Sequence, residues 1–221
     1  MSKSVVVTGA NRGIGLSLCQ YYRRKGFAVY GVCREPSERL SSLGIDIISG
    51  IDISTSQSMH ELKLQLSGVE IDLIINNAGI LRDENLRDLN FETITEQFET
   101  NAVGPLRVID ALIGNLVFGG KVALVTSRMG SLEDNTSGGR YGYRMSKVAL
   151  NMAGVSLAHD LKSLGVAVAI LHPGLVGTDM IGGQGNITPD TASEQLAERI
   201  DALNMENSGT FWHANGSILP W

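Results

Sequence analysis

Cysteine, proline and long apolar runs are all scarce in this chain of 221 residues. Its two cysteines, Cys19 and Cys33, are too few for a disulfide framework or a zinc site, so two reduced, buried thiols and no metal site are expected. The longest plain apolar run, Val166 to Leu171, falls far short of the roughly 18 residues that span a bilayer, so no membrane span is expected. After Lys3 only three valines precede Thr8 and Gly9, too little for a signal-peptide core, and a cytoplasmic location is expected. Basic charge is also short: 18 Lys and Arg against 23 Asp and Glu leave −5, with no basic run beyond Arg23-Arg24-Lys25. A non-specific nucleic-acid binder needs the opposite balance, so that class is excluded.

What remains is ample material for a core. At 43% hydrophobic and 19% charged, the chain is not disordered. Its 26 glycines beside five prolines point to tight turns and close backbone approaches, not to a collagen-like repeat. No internal repeat or Pro/Ser-rich linker divides it, so residues 1–221 are read as one domain.

Hydrophobic runs of two kinds alternate. Short β-branched runs lie at Val5–Val7, Ala28–Val32, Ile45–Ile48, Ile71–Ile75, Val122–Val125 and Val166–Leu171. Stretches with helical spacing separate them: Ile14–Tyr22, Met59–Leu66, Phe91–Leu116, Val148–Leu164 and Ala192–Leu203. Such alternation predicts βαβ units, hence a doubly wound α/β fold with a parallel sheet and helices on both faces. Ligands of such sheets bind beyond the carboxyl ends of the strands. The residues after each strand are therefore the ones that bear on function.

The first strand leads into Thr8-Gly9-Ala10-Asn11-Arg12-Gly13-Ile14-Gly15, which opens a helix. Its G-x-x-x-G-x-G spacing differs from the G-x-G-x-x-G dinucleotide fingerprint. It still lets backbone approach a pyrophosphate at a helix N-terminus, although a merely tight strand–helix turn would use the same glycines. The second strand ends at Cys33-Arg34, where an NAD site wants an acidic side chain and an NADP site an arginine. Arg34 and Arg12 both suit a 2′-phosphate, and Glu35 and Glu38 read as the first turn of a solvated helix. Asp52 could accept from an adenine amino group or merely cap the helix begun by Ser54 and Thr55. Asn76-Asn77-Ala78-Gly79 could floor a cofactor ribose or form a plain turn.

Phe91–Leu116 reads as one long helix whose apolar stripe is interrupted by Asn101. Pro105, four residues on, has no N–H, so the Asn101 carbonyl loses its intrahelical partner. A kink there would leave either a carbonyl able to hold a water or an ordinary proline bend. The fifth strand runs into Thr126-Ser127-Arg128-Met129-Gly130-Ser131, and Tyr143-Arg144-Met145-Ser146-Lys147 opens the next helix. Tyr and Lys four apart share a helix face, and a nearby cation lowers a phenol's pKa toward neutral proton exchange. Tyr21 and Lys25 have the same spacing at the far end of the first helix, away from the strand ends. After the sixth strand, His172 reads as structural, while Pro173-Gly174-Leu175-Val176-Gly177-Thr178 could meet a flat ring and its amide. Ile181–Asn186 is either a short lid or a plain surface loop.

Together these residues resemble the short-chain dehydrogenase/reductase family over essentially the whole chain. TGANRGIG at Thr8–Gly15, NNAG at Asn76–Gly79, Asn101, Ser127, Tyr143 with Lys147, and Pro173-Gly174 with Thr178 occur in the family's order. The tail, Gly209-Thr210-Phe211 through Leu219-Pro220-Trp221, is similar to the branch of C-factor and sniffer-type carbonyl reductases. The resemblance implies a Rossmann-type sheet of about seven strands. It implies Tyr143 as general acid, Lys147 as its modulator and ribose ligand, Ser127 as the group bonding the substrate oxygen, and Asn101 as holder of a relay water. It further implies NADP(H) on Gly9, Asn11, Arg12, Gly13, Ile14, Gly15, Arg34, Asp52, Ile53, Asn77, Ala78, Gly79, Tyr143, Lys147, Pro173, Gly174, Val176 and Thr178.

One departure concerns the serine. Ser127 lies 16 residues before Tyr143, about three more than usual for the family, while Ser131 lies 12 before. Ser127 is preferred because it ends the strand and is followed by Gly130, leaving the extra residues as a loop within Glu133–Arg140. The expected activity is NADPH-dependent reduction of a small aldehyde, ketone or quinone. The alternatives are a dinucleotide-binding signalling protein with incidental turnover and an NAD-linked alcohol dehydrogenase. A homodimer or homotetramer through Phe91–Leu116 and Tyr143–Leu164 is also implied, with Leu132, Tyr141, Leu175 and Met180 as candidate substrate contacts.

Overall fold

In the computed structural model, which describes residues 2–221, the sheet alternates its side chains between two cores. Val5 and Val7 of β1 (Ser4–Thr8) pack with the α1/α7 side, whereas Val6 faces the opposite side. The same period of two recurs in β4 (Ile71–Asn76), with Leu73 and Ile75 on one side and Ile74 on the other. Strands buried on both faces read as continuous apolar runs, which is why the sequence marks them so clearly. The remaining strands are β2 (Ala28–Val32), β3 (Asp46–Ile48), β5 (Leu116–Val125), β6 (Ala167–His172) and β7 (Phe211–His213). All pair in parallel, in the order β3-β2-β1-β4-β5-β6-β7.

One face is covered by α1 (Gly13–Arg24) and α7 (Pro189–Ala202), through Leu16, Leu18, Leu196 and Ile200. The other is covered by α3 (Ser56–Gln65), α5 (Gly104–Leu112) and α6 (Tyr141–Asp160), through Leu62, Val108, Leu112 and Leu150. The short α2 (Glu38–Ser41) follows β2, and α4 (Phe91–Phe98) precedes α5. Ser37, Thr55, Asn90 and Thr188 cap α2, α3, α4 and α7 by accepting first-turn N–H groups. Arg12 and Arg140, before α1 and α6, make no such side-chain bond. Those two helix ends both lie at the carboxyl edge of the sheet.

Three expectations need correction. Phe91–Leu116 is not one α-helix: a five-residue π segment, Glu99–Val103, joins α4 to α5, and a short 3-10 turn ends at Asn115. Pro105 cannot donate to Asn101, and the chain widens locally, with the Gly104 N–H reaching the Glu99 carbonyl, instead of kinking sharply. Leu116 already belongs to β5, and a register irregularity between Leu116 and Lys121 leaves Phe118 exposed. Glu35 precedes the Ser37 cap, so of the two glutamates only Glu38 lies in α2. No helix among the described residues is long and apolar enough to cross a membrane.

Candidate active site

The first turn after β1 is built by close backbone approach. Gly9 has a φ of +69°, and a Cβ there would lie 2.9 Å from the Ala78 Cα. Thr8 and Asn77 lock the two strand ends together: the Thr8 Oγ1 accepts from the N–H groups of Asn77 and Ala78, and the Asn77 Nδ2 donates to the Thr8 carbonyl. Gly13 lies against Thr178, with a virtual Cβ 3.3 Å from its Cγ2. The glycine loop, the NNAG turn and the loop after β6 thus meet along one cleft.

Two exposed arginines flank that cleft. Arg12 pairs with Asp179 at 3.0 Å, which ties the glycine loop to the segment after Thr178. Arg34 stands close enough to Asp52 for its charge to act on that carboxyl. Burial works against the Asp52 anion, yet hydrogen bonds from the Ser54 hydroxyl and N–H, with Arg34, leave its pKa below the ordinary value. Asp52 therefore organises the turn before Thr55, the residue that caps α3. Ile53 and Val176 are buried, as is Pro173, whereas Asn11 and Ile14 are half-buried. The Gly9–Ala78 floor, the α1 N-terminus without a side-chain cap and two flanking cations suit the phosphates of a dinucleotide.

Beyond the NNAG turn the remaining groups converge. A Cβ on Gly79 would lie 3.1 Å from the Asn101 Oδ1 and 3.7 Å from the Lys147 Nζ. Asn101 is fully buried; its Oδ1 accepts the Ile80 N–H while its Nδ2 donates to the Ile80 carbonyl and the Ser146 hydroxyl. Its side chain is therefore a brace between the β4 loop and α6. Lys147 donates to the Val125 carbonyl at 3.0 Å, and its Nζ lies 5.7 Å from the centre of the Tyr143 ring. Burial pushes the Lys147 pKa down to about 8.

Tyr143 differs from expectation in one respect. Its phenol lies above, not below, its ordinary pKa because burial dominates; the nearby Ser127 hydroxyl and the charge of Arg140 pull the other way. Ser127 is the serine at the phenol, whereas the Ser131 hydroxyl accepts the Asp134 N–H and closes a turn. The residues from Leu132 to Arg140 form the expected loop, fastened by an Arg128–Asp134 ion pair and by Arg144 on the carbonyls of Gly138 and Gly139. Tyr21 and Lys25 have almost the same ring–cation separation, 5.5 Å, but Lys25 is exposed at the far end of α1.

Leu132, Leu175 and Met180 are exposed on the loops after β5 and β6, and Tyr141 is half-buried at the start of α6. His172 stacks edge-on against His213, with ring centres 4.9 Å apart, and burial pushes its pKa down to about 3. The Ile181–Asn186 segment is strapped back on itself: the Gly177 N–H donates to the Ile187 carbonyl and the Asn186 N–H to that of Leu175. Glu84, a buried acid in the β4–α4 loop that bonds the start of α6, carries no mark in the sequence. Its partners lie 9 to 58 residues away, so no local pattern marks it.

Residues 3–186 match the family model for short chain dehydrogenases. The chain is 41% identical to the 1-hydroxy-2-glutathionyl-2-methyl-3-butene dehydrogenase of Rhodococcus sp. strain AD45, covering 99% of each chain. It is 44% identical to the C-signal of Myxococcus xanthus over 68% of this chain and 93% of that one. Among solved structures, the carbonyl reductase Sniffer of D. melanogaster superposes with a TM-score of 0.92 at 27% identity, covering 100% of both chains. An NADPH-bound carbonyl reductase from chicken fatty liver gives 0.88 at 26% identity, covering 100% of this chain and 99% of that one. With its seven-stranded parallel sheet and the family match along most of its length, this chain belongs to the short-chain dehydrogenase/reductase family of oxidoreductases.

Proposed function

We propose that the protein reduces a small carbonyl compound with NADPH, with Tyr143 as the proton donor. The observation that carries this reading is the placement of the phenol: Tyr143 is buried, the Lys147 Nζ lies 5.7 Å from its ring centre, and Ser127 ends the neighbouring strand loop close enough to act on its hydroxyl. A general acid must hold its proton until charge develops on the accepting oxygen. The dinucleotide, when bound, supplies the hydride. Ser127 then fixes the substrate oxygen beside the phenol and stabilises its developing charge. The buried Lys147 carries positive charge below about pH 8 and favours the phenolate left behind. Asn101, braced through its side chain, offers a main-chain carbonyl that Pro105 cannot bond, suited to a water that returns the proton.

Gly9, Asn11, Gly13, Ile14 and Gly15 would hold the pyrophosphate side of the cofactor, Arg12 and Arg34 its 2′-phosphate, and Asn77, Ala78, Gly79, Tyr143 and Lys147 its nicotinamide ribose. Pro173, Gly174, Val176 and Thr178 would meet the ring and its amide, and Asp52 and Ile53 the adenine. Arg34, with Arg12, supports NADPH over NADH, since no acidic side chain stands at the end of β2. Exposed Leu132, Leu175 and Met180 suit a substrate with an apolar portion. Exposed Phe91, Phe98, Leu106, Met145 and Met152 on α4, α5 and α6 support a homo-oligomer through that face.

A second reading follows from the Rhodococcus relative, whose name specifies oxidation of a thioether alcohol. The two readings separate by direction. NADPH oxidation with a panel of aldehydes, ketones and quinones supports reduction. Turnover confined to alcohols with an oxidised dinucleotide supports the second reading.

A further inference from the structure

Helices α1 and α6 both lack a cap from their own N-cap side chain, and they differ in what meets their free N–H groups. At α1 the backbone lines the cleft, whereas at α6 a buried acid from a distant loop takes the place of a cap. Glu84 is only 3% exposed, and its Oε2 accepts the N–H of Gly142, the residue before Tyr143, at 3.2 Å. Its Oε1 accepts from the Gln97 side-chain amide at 2.6 Å and from the Thr93 hydroxyl at 2.9 Å. Its main-chain carbonyl accepts the Arg140 N–H at 2.7 Å. Three side-chain or backbone donors converge on one carboxylate, an arrangement that only an all-acceptor group satisfies fully.

The other end of this clip is equally built. Gln97 is fully buried; its Oε1 accepts the Arg82 N–H, while four residues on Asn101 binds both polar groups of the Ile80 backbone. The 80–84 segment is thereby fixed to α4 and the π segment before Glu84 reaches across. Gly142 meets this cluster with no room for a side chain: a Cβ would collide with the Gln97 Nε2 and lie 2.9 Å from the Ile94 Cα. Arg140, at a φ of 50°, turns the chain sharply into α6, a left-handed conformation that a non-glycine residue adopts only under constraint. Its guanidinium meets Asp83, next to Glu84.

We propose that Glu84, with Gln97, is a positioning residue: it fixes the first turn of α6 so that the Tyr143 phenol meets Ser127. The proposal rests on the reductase reading for its catalytic consequence and on the geometry above for the clip itself. Nothing in it requires Glu84 to touch substrate. Misplacing a reacting group by a fraction of an ångström to one ångström costs rate far more than binding.

The test compares Glu84→Gln with the exchanged pair Glu84→Gln/Gln97→Glu. In the single variant a donor must face either the Gly142 N–H or the Gln97 amide. In the pair, the amide at 84 donates to the carboxylate at 97 and its oxygen again accepts from Gly142; the Thr93 hydroxyl keeps its bond to the Asn90 carbonyl, and only the Gln97 bond to the Thr93 carbonyl is lost. The expected result is a fall in kcat on the order of 10- to 100-fold for the single variant. NADPH affinity should stay within about twofold, and the exchanged pair should recover most of kcat. Hydrogen exchange should quicken at residues 141–147 in the single variant, with the sheet unchanged, and slow again in the pair. Wild-type kcat in Glu84→Gln, uniform loosening of the whole molecule, or no recovery in the pair overturns the proposal. Should Glu84→Gln not fold, Glu84→Asp withdraws the carboxylate by one methylene and must show the same loss of kcat. The exchange arm needs no turnover: wild-type protection at 141–147 overturns the clip, whereas an inactive wild type counts against the reductase reading alone.

Discussion

The Lys147 ammonium lies 5.7 Å from the centre of the Tyr143 ring and donates to the Val125 carbonyl, with no acidic side chain in salt-bridge contact among the described residues. A buried cation held only by a neutral carbonyl costs stability, and the role proposed for Lys147 beside Tyr143 accounts for its presence there. Replacement by methionine, of similar length and no charge, should leave the melting temperature unchanged or raised while abolishing turnover. Thermal denaturation and steady-state rates on one preparation check this. A marked loss of stability in Lys147→Met would show that the lysine serves the fold instead.

The same lysine predicts a pH dependence of cofactor binding. Its pKa in the folded protein is lowered to about 8, so it is charged below that pH and neutral above it. NADPH affinity should therefore weaken as pH rises through about 8, and in Lys147→Met that step should disappear. Fluorescence titration between pH 6.5 and 9.5 measures it, with these limits set to bracket the transition by roughly 1.5 units on each side.

Arg12 has two claims on it. It is paired with Asp179, and as proposed it also faces the cofactor's 2′-phosphate. Both side chains are well exposed, so the pair is weak, and Asp179→Asn should tighten NADPH binding by only roughly two- to fivefold at low salt. The gain should fade as salt is added. NADH binding should not change. Arg34→Ala, in contrast, should weaken NADPH without affecting NADH, because Arg34 is the cation at the end of β2.

His172 makes acid the weak side of the fold. Its pKa is pushed down to about 3, chiefly by burial and then by His213, against an ordinary 6.5. Below 6.5 the unfolded chain takes up a proton that the folded chain refuses until about pH 3, so stability falls as pH drops through that window. Melting temperatures between pH 7 and pH 4 should decline less steeply in His172→Asn than in the wild type. Parallel slopes in the two proteins would remove His172 from this account.

Six of the seven strands were legible because buried strands are written as short apolar runs, and Ala28–Val32 matches its strand to the residue; Phe211–His213, three residues long, makes no such run. The residues after those strands were legible for the same reason, since the parallel sheet delivers all strand ends to one edge. Gly13 and Thr178, or Gly79, Asn101 and Lys147, meet although no local spacing links them. The π segment was hidden because Pro105 announces a missing bond without saying whether the helix bends or widens. The start of β5 was hidden because Leu116 continues the apolar stripe of the preceding helix. Glu84 was invisible in a different way: an isolated Glu in a polar stretch reads as solvated until Gln97 and Gly142 fold over it. The direction of the Tyr143 shift also escaped, since the Tyr–Lys spacing shows the cation but not the burial that outweighs it.

The central claim is that the Tyr143 phenol donates the proton, and Tyr143→Phe tests it most directly. The variant removes one oxygen and leaves the ring packed against Lys147. NADPH consumption with a carbonyl that the wild type reduces should fall by on the order of 10²- to 10⁴-fold, while NADPH still binds with nearly unchanged affinity. A variant that binds NADPH and reduces the carbonyl at the wild-type rate would contradict the account.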